Sequence, residues 1–337
     1  MRSRLILPGL TALLAVCCLL ALGMGSVHVP LTEIFHRLWA ALCGHGTGDL
    51  FDAILFQTRL PRIILAAAVG ASLALAGVAA QSLFQNPLAG PHVIGVSNGA
   101  ALGAVAGMLI FVGRMGGNHW VVALCSLAGG IVTTFGVFIL ARRARHLGYA
   151  LLLAGIAVGA LCSALTAGAL YLSGEQLANI VFWLMGGLWR ANWREVEMVV
   201  PVLLMSFLML RLFASEMNAV LIGERPARDL GVDVTRLQYV LIAAVAVPTA
   251  VAVGLTGVIG FIGLIVPHLM RMTVGEDHRR LVPASALGGA ILLVIADTAA
   301  RTLAAPAEVP VGILTALIGA PVFLWFLQRR VKRGGDA

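Results

Sequence analysis

The sequence predicts an all-α, polytopic membrane protein with ten transmembrane helices and both termini in the cytoplasm. Of its 337 residues, 60% are hydrophobic and only 11% are charged, whereas a soluble domain has roughly 45–50% apolar and about 25% charged residues. Apolar runs long enough to cross a bilayer, which takes about 20 residues, recur along the chain. This composition excludes a soluble globular domain and also excludes a disordered chain, since disordered chains are poor in apolar residues.

Charges and helix-breaking residues mark where each span begins and ends. The first run, 5–25, is interpreted as an uncleaved span because no clear signal-peptide cleavage site follows it. The charge-free run 63–113 holds two helices, separated at 86–92 by two prolines and a glycine. The run 237–270 is likewise divided, near Gly254 and Gly257. The other predicted spans are 115–141, 146–174, 198–210 with its flanks, 281–296 and 309–328.

The distribution of basic residues predicts the orientation. With the N-terminus inside, 16 of the 23 Lys and Arg residues fall in cytoplasmic loops or tails, as the positive-inside rule requires. The net charge of +8 is therefore assigned to these loops, and no nucleic-acid partner is expected. The chain is predicted to form one transmembrane domain, 1–337. Two five-span halves, about 1–172 and 173–337, would have opposite orientations, as in many transporters.

The sequence lacks the motifs of an energy-converting or catalytic protein. Lys332 is the sole lysine and follows Val331, so there is no phosphate-binding P-loop. Histidines are scattered, none of the five cysteines forms a C-x-x-C pair, and no metal site is predicted. Asp297 precedes Arg301 by four residues, which favours a local ion pair. Mid-span acids, which an ion-coupled carrier would normally use, are almost absent.

A stripe of glycines predicts close helix packing. Gly95, Gly99, Gly103 and Gly107 recur every four residues and so lie near one helix face. Without side chains, such a face lets another backbone approach closely. Gly155, Gly159, Ser163 and Ala167 make a similar stripe on the fifth span. Helix packing is the favoured interpretation, and a face that lines a pathway is the alternative.

Several motifs resemble the membrane permease subunits of the iron-chelate (siderophore), haem and cobalamin ABC importer family, the type II importers. These motifs are Arg59-Leu60-Pro61-Arg62, 81–89, 95–100, 152–155, 185–187, 260–268 and 319–323. The resemblance implies a bacterial inner-membrane homodimer, embedded in lipid, with a translocation path between the subunits. It also implies two ATPase subunits and a periplasmic or lipid-anchored substrate-binding protein. No cofactor is expected on this chain, and ATP would be bound by the ATPase.

The resemblance implies three kinds of site. Arg59, Arg62 and Arg301 would dock acidic residues of the binding protein, because a guanidinium grips carboxylates bidentately. Interfacial snorkelling or pairing within the chain is the alternative for all three, with Asp297 as the candidate partner of Arg301. The segment 219–233 would couple to the ATPase, and an ordinary amphipathic loop is the alternative. Its candidate coupling residues are Leu221, Ile222, Gly223, Glu224, Arg225, Ala227, Arg228, Leu230 and Gly231.

The cytoplasmic gate would comprise Asn86 and Leu88 in one loop and Gly148 and Tyr149 in another. Tyr149 departs from the cobalamin importer, which has small hydroxyl residues at the second pair. It could plug the path, stack on a flat ligand or act as an interfacial aromatic anchor. His92 and His268 are possible iron ligands, but capping or hydrogen bonding is the favoured role for both.

The sequence therefore predicts a non-enzymatic permease subunit that moves an iron chelate, a ferric siderophore or haem, by alternating access. Cobalamin is the alternative substrate within the same family. An ion-coupled secondary transporter is the alternative of a different class, and a membrane enzyme is disfavoured because no catalytic constellation is present.

Overall fold

The computed structural model describes residues 2–25, 29–42, 49–112, 119–144 and 147–334, and the regular structure in these ranges is entirely helical. The α-helices are α1 (Arg2–Gly23), α2 (Leu31–Leu42), α3 (Leu50–Asp52), α4 (Leu60–Leu83), α5 (Val96–Gly107), α6 (His119–Ala141), α7 (Leu147–Tyr171), α8 (Leu177–Leu184), α9 (Trp193–Leu212), α10 (Ala214–Val220), α11 (Glu224–Asp229), α12 (Val234–Thr256), α13 (Ile262–Val274), α14 (His278–Thr302) and α15 (Val311–Gly334). Two π-helical segments, Ala53–Arg59 and Met108–Val112, extend α4 and α5.

Seven helices in the described ranges are long and apolar enough to cross a membrane, and an eighth is added if α9 and α10, bent by 55°, form one span. Two shorter apolar helices, Val96–Phe111 and Ile262–Val274, occupy the remaining predicted spans. Each of the ten predicted segments thus contains a helix. The count of ten crossings and the location of the termini stay predictions. Arg114 and Arg145, which contribute to the predicted charge bias, and Cys43 lie outside the described residues.

Helix α4 lies at the centre of the bundle. Of its 24 residues, 21 are buried, and it packs against α9, α12, α13 and α14. A Cβ at Gly70 would overlap the Gly289 carbonyl of α14, and one at Gly77 would overlap the Gly263 carbonyl of α13. Because lipid is as apolar as the side chains, membrane helices associate through van der Waals packing and hydrogen bonds, and small residues let their backbones approach closely.

The predicted glycine stripe of α5 faces α6. A Cβ at Gly99 would meet Thr133, and one at Gly103 would meet the Cys125 carbonyl. The next helix, α7, packs on α5 near Asn98, whose side chain donates hydrogen bonds to the Gly159 carbonyl at 3.0 Å and to Ser163 Oγ at 3.2 Å. Helix α5 is therefore held between α6 and α7.

The bundle has two ends, which we name from the orientation that the charges predict. The outer end carries the start of α4 and the end of α14, where Arg62 contacts Asp297. The inner end carries the end of α4, the start of α7 and the segment from α10 to α11. There a Cβ at Gly148 would lie 3.9 Å from the Leu83 carbonyl oxygen, and Asn218 contacts Asp277.

Candidate functional site

Buried ionic groups at the outer end join three elements. Arg62, at the start of α4, places Nη2 2.9 Å from Asp297 Oδ1 of α14. The same guanidinium grips Glu308, which precedes α15, through Nη1–Oε1 at 3.0 Å and Nη2–Oε2 at 2.9 Å. Arg301 Nε lies 3.2 Å from Asp297 Oδ2. Arg62, Asp297 and Arg301 are buried, whereas Glu308 is exposed, so two buried cations share one buried carboxylate.

Arg59 and Arg301 also reach the end of α1. Arg59 is buried and donates a hydrogen bond from Nη1 to the Leu22 carbonyl. Arg301 Nη2 donates to the Ala21 carbonyl at 3.4 Å. The last carbonyls of a helix have no partner within the helix and carry partial negative charge. The two arginines therefore hold the end of α1 against the cluster.

The structure brings Arg59, Arg62 and Arg301 together and directs their guanidinium groups toward groups of their own chain, which is the alternative that the sequence analysis left open. The predicted Asp297–Arg301 ion pair is confirmed. The contacts of Arg62 with Asp297 and Glu308 were not predicted, because they join residues 235 and 246 positions apart in sequence. Docking of a binding protein by these arginines stays a prediction.

The segment 219–233 projects from the inner end as two short helices and their turns. Leu221, Ile222 and Leu230 are 43%, 72% and 69% exposed, while Ala227 on the other side of α11 is fully buried. Glu224 and Arg228 flank the exposed apolar side chains and approach each other at 3.7 Å. Isolated large apolar side chains on a surface are common, but three of them within ten residues outside the predicted spans are typical of an interaction surface. We call Leu221, Ile222 and Leu230 the apolar tip.

Asn218 fastens this segment to the start of α14. Its Nδ2 donates to Asp277 Oδ1 at 2.7 Å, and its Oδ1 accepts from the backbone N–H of His278 at 2.9 Å. Arg279 Nη2 adds a hydrogen bond to Ser215 Oγ at 3.0 Å. Burial opposes ionisation of Asp277, but the hydrogen bond from Asn218 and the nearby Arg279 leave the pKa of this carboxyl below its usual value. We call these contacts of Asn218 with Asp277 and His278 the Asn218 clamp. The sequence analysis did not predict it, because no local motif indicates it.

The two predicted gate loops lie next to each other at the inner end. Asn86 Oδ1 accepts a hydrogen bond from the Leu88 N–H at 3.1 Å, which holds a tight turn after α4. Gly148 faces Leu83 and Phe84 across a gap in which a Cβ would lie 3.9 Å from either residue. Tyr149 is 67% exposed. Its ring therefore stands free of the protomer's own core.

A cavity of about 220 Å³ separates the gate loop from the coupling segment. Gln85 and Asn86 line it on one side, and Val220 and Leu221 line it on the other. Arg271 of α13 also borders it and reaches Gln81 Oε1 at 3.4 Å. The gate loop and the apolar tip are thus close neighbours at the inner end.

The two histidines considered as iron ligands lie apart from any metal-binding cluster. In the described ranges, no group of three or more His, Cys, Asp or Glu residues could hold a metal ion. The His268 ring packs edge-on against Phe326, with their centroids 4.5 Å apart. His92 lies in the 3₁₀ turn Pro91–Ile94, before α5.

The chain is similar to known proteins over most of its length. The model of the FecCD transport family matches residues 13–329. The cobalamin import system permease protein BtuC of Halobacterium salinarum is 44% identical over 300 residues, covering 88% of this chain and 79% of that protein. The vitamin B12 import system permease protein BtuC of Klebsiella pneumoniae is 40% identical over 336 residues, covering 99% and 96% of the two chains.

Two solved structures share the fold. A metal-chelate type ABC transporter in an inward-facing conformation superposes with a TM-score of 0.85 at 34% identity, covering 97% of this chain and 99% of that one. A chain of PsaBC from Streptococcus pneumoniae gives a TM-score of 0.56 at 15% identity and covers 81% of this chain. At that identity the second likeness concerns the fold alone.

We expect Asp297→Ala to destabilise the protein by about 3–5 kcal/mol, because it leaves two buried guanidinium groups without their shared carboxylate. Asp229→Ala, at an exposed position of α11, is the matched control and should change stability by less than about 0.5 kcal/mol. Thermal unfolding of the purified protein in detergent measures both. Equal melting temperatures for the two variants would contradict a structural role for the cluster.

Proposed function

This chain belongs to the FecCD transport family, and we propose that it is the permease subunit of an ABC importer for cobalamin. It is a multi-pass permease of the inner membrane and not an enzyme. Its relatives in two organisms are named as cobalamin or vitamin B12 import permeases at 44% and 40% identity. This similarity favours cobalamin, the alternative substrate in the sequence analysis, over an iron chelate.

At the inner end, the main observation that supports the proposal is the exposed apolar tip. Leu221, Ile222 and Leu230 expose apolar surface beyond the last turns of the bundle, where an exposed hydrophobic group is unfavourable without a partner. A separate ATPase subunit would cover it, with Glu224 and Arg228 pairing at the rim. ATP would be bound and hydrolysed by two such subunits, and this chain would bind no cofactor of its own.

The gate would act between two copies of the chain. Tyr149 begins an α7 face on which Leu153 and Ile156 are also more than half exposed. In the proposed homodimer the two α7 faces would border the path, and the loops at Asn86, Leu88, Gly148 and Tyr149 would close it on the inner side. Movement of the coupling segments on ATP binding would open and close this constriction in alternation with the outer side, where a substrate-binding protein would dock.

Uptake by proteoliposomes tests the proposal directly. The vesicles would hold this chain with its ATPase, the binding protein would be supplied outside, and labelled cobalamin, ferric siderophore and haem would be compared with and without internal ATP. We expect cobalamin uptake that requires ATP and both partners. Preferential uptake of a siderophore or haem would overturn the substrate. Uptake that persists without the ATPase and collapses with an ion gradient would favour a secondary transporter.

Charge placed in the apolar tip tests the coupling role separately. Burying an isoleucine side chain contributes about 1.5–3 kcal/mol, so Ile222→Glu should weaken binding of the ATPase at least about tenfold and abolish ATP-driven uptake. The matched control is Leu172→Glu, because Leu172 is 80% exposed but lies at the end of α7 opposite the apolar tip. Affinity of the detergent-solubilised chain for the ATPase is the measurement. Unchanged affinity of the Ile222→Glu variant would contradict the assignment.

A further inference from the structure

We propose that a second site, at the outer end of the bundle, binds the headgroup of an ethanolamine phospholipid. The site is a cavity of about 220 Å³ between the start of α6, the start of α9 and the end of α12, which we call the outer cavity. It is lined by Trp120, Val122, Ala123, Trp183, Arg190, Asn192, Arg194, Glu195, Met198, Gly254 and Leu255. This inference concerns lipid binding and does not rest on the substrate proposed above.

The size of the outer cavity excludes the transported cargo. Pockets for drug-sized ligands measure about 300–1,000 Å³, so a cavity of about 220 Å³ is too small for a metal chelate of the size of cobalamin. It has room for a group of several heavy atoms, given that one water takes about 30 Å³ of liquid. A phosphate joined to a short amine is of this size.

One carboxylate oxygen in the outer cavity lacks a donor. Oε2 of Glu195 is buried and accepts no hydrogen bond among the described residues. The charge of Arg190 acts on Glu195, but a buried carboxylate oxygen without a hydrogen-bond donor is still unfavourable. Asn192 fixes this arrangement, since its Oδ1 accepts from the Glu195 N–H at 3.2 Å and its Nδ2 donates to the Arg190 carbonyl at 3.0 Å. The backbone therefore holds Glu195 at the cavity.

The remaining polar and aromatic groups complement a zwitterion. Arg190 and Arg194 border the same cavity, and arginine grips phosphate oxygens bidentately. Trp120 and Trp183 also line the cavity, and an indole face attracts a cation that lies over it. A ligand that carries both a phosphate and a primary ammonium would place the phosphate beside the arginines and the ammonium at Glu195 Oε2.

The surroundings of the outer cavity favour a lipid over a soluble phosphoamine. Its lower wall is apolar, with Met198 and Leu255 contributed by spanning helices. Leu124, one turn from Trp120 on the same face of α6, is 57% exposed. Tryptophans are enriched at the headgroup level of membranes. Acyl chains would leave the cavity along this face into the bilayer.

The chemistry predicts selectivity among lipids. The primary ammonium of phosphatidylethanolamine can donate hydrogen bonds to Glu195, whereas the quaternary ammonium of phosphatidylcholine has no N–H. Phosphatidylglycerol carries no cation, so it can offer Glu195 only neutral hydroxyl donors. We therefore expect phosphatidylethanolamine to bind at least about tenfold more tightly than phosphatidylcholine, which is the factor expected for a hydrogen bond between charged groups.

Native mass spectrometry of the full-length chain, delipidated in detergent and then supplied with each lipid at equal concentration, tests the proposal. We expect Glu195→Gln to reduce the preference for phosphatidylethanolamine over phosphatidylcholine to near parity. Glu197→Gln is the matched control, because Glu197 lies on the same helix but is exposed and does not line the cavity. It should leave the preference unchanged.

A Trp120 variant and a competition experiment complete the test. Trp120→Leu, at a position that is 38% exposed, should weaken binding of the two ammonium-bearing lipids relative to phosphatidylglycerol. This variant serves if the Glu195 variant fails to fold. Soluble phosphoethanolamine at the same concentration should not displace the lipid. Equal retention of phosphatidylethanolamine and phosphatidylcholine by the natural sequence, an unchanged preference in Glu195→Gln, or displacement by soluble phosphoethanolamine would overturn the proposal.

Discussion

The close contact of α4 with α13 and α14 is the constraint on which the rest of the structure depends. In a bilayer, burying an apolar side chain against another helix gains little over leaving it in lipid. Helices therefore associate through backbone proximity and polar contacts. Gly70 against Gly289 and Gly77 against Gly263 bring the backbones together where any side chain would overlap a carbonyl. With α4 fixed in this way, its two ends are placed relative to α14.

Each end of the α4–α14 pair then carries a polar connection to a functional surface. At the outer end, Arg62 of α4 meets Asp297 of α14, and Arg301 continues the contacts to the end of α1. At the inner end, α14 begins at the Asn218 clamp, which holds the segment bearing the apolar tip. Helix α4 itself ends in the gate loop. A displacement of the coupling segment would therefore act on both the gate and the outer cluster through one packed pair of helices.

Much of this arrangement could be predicted from sequence because it depends on local composition. Apolar runs predicted the helices, four-residue glycine spacing predicted the α5–α6 contact face, and the i,i+4 spacing of Asp297 and Arg301 predicted their ion pair. The Arg62 contacts, the Asn218 clamp and the Arg271–Gln81 contact were missed, since each joins residues far apart in the chain. Burial of the three outer arginines was missed for the same reason. The apolar pattern of the sequence also did not predict that two of the spans, α5 and α13, are shorter than the others.

The most direct test of this account measures how far substrate-loaded binding protein stimulates ATP hydrolysis by the assembled complex. The variants to compare are Asn218→Leu and Gln238→Leu. Gln238 of α12 donates an exposed hydrogen bond from Nε2 to Glu224 Oε1 of the coupling segment at 3.3 Å. Its variant therefore controls for the loss of a local hydrogen bond. We expect the Asn218 variant to keep its ATPase partner and its basal hydrolysis but to lose most of the stimulation, while the Gln238 variant keeps it. Full stimulation in the Asn218 variant would contradict transmission through α14.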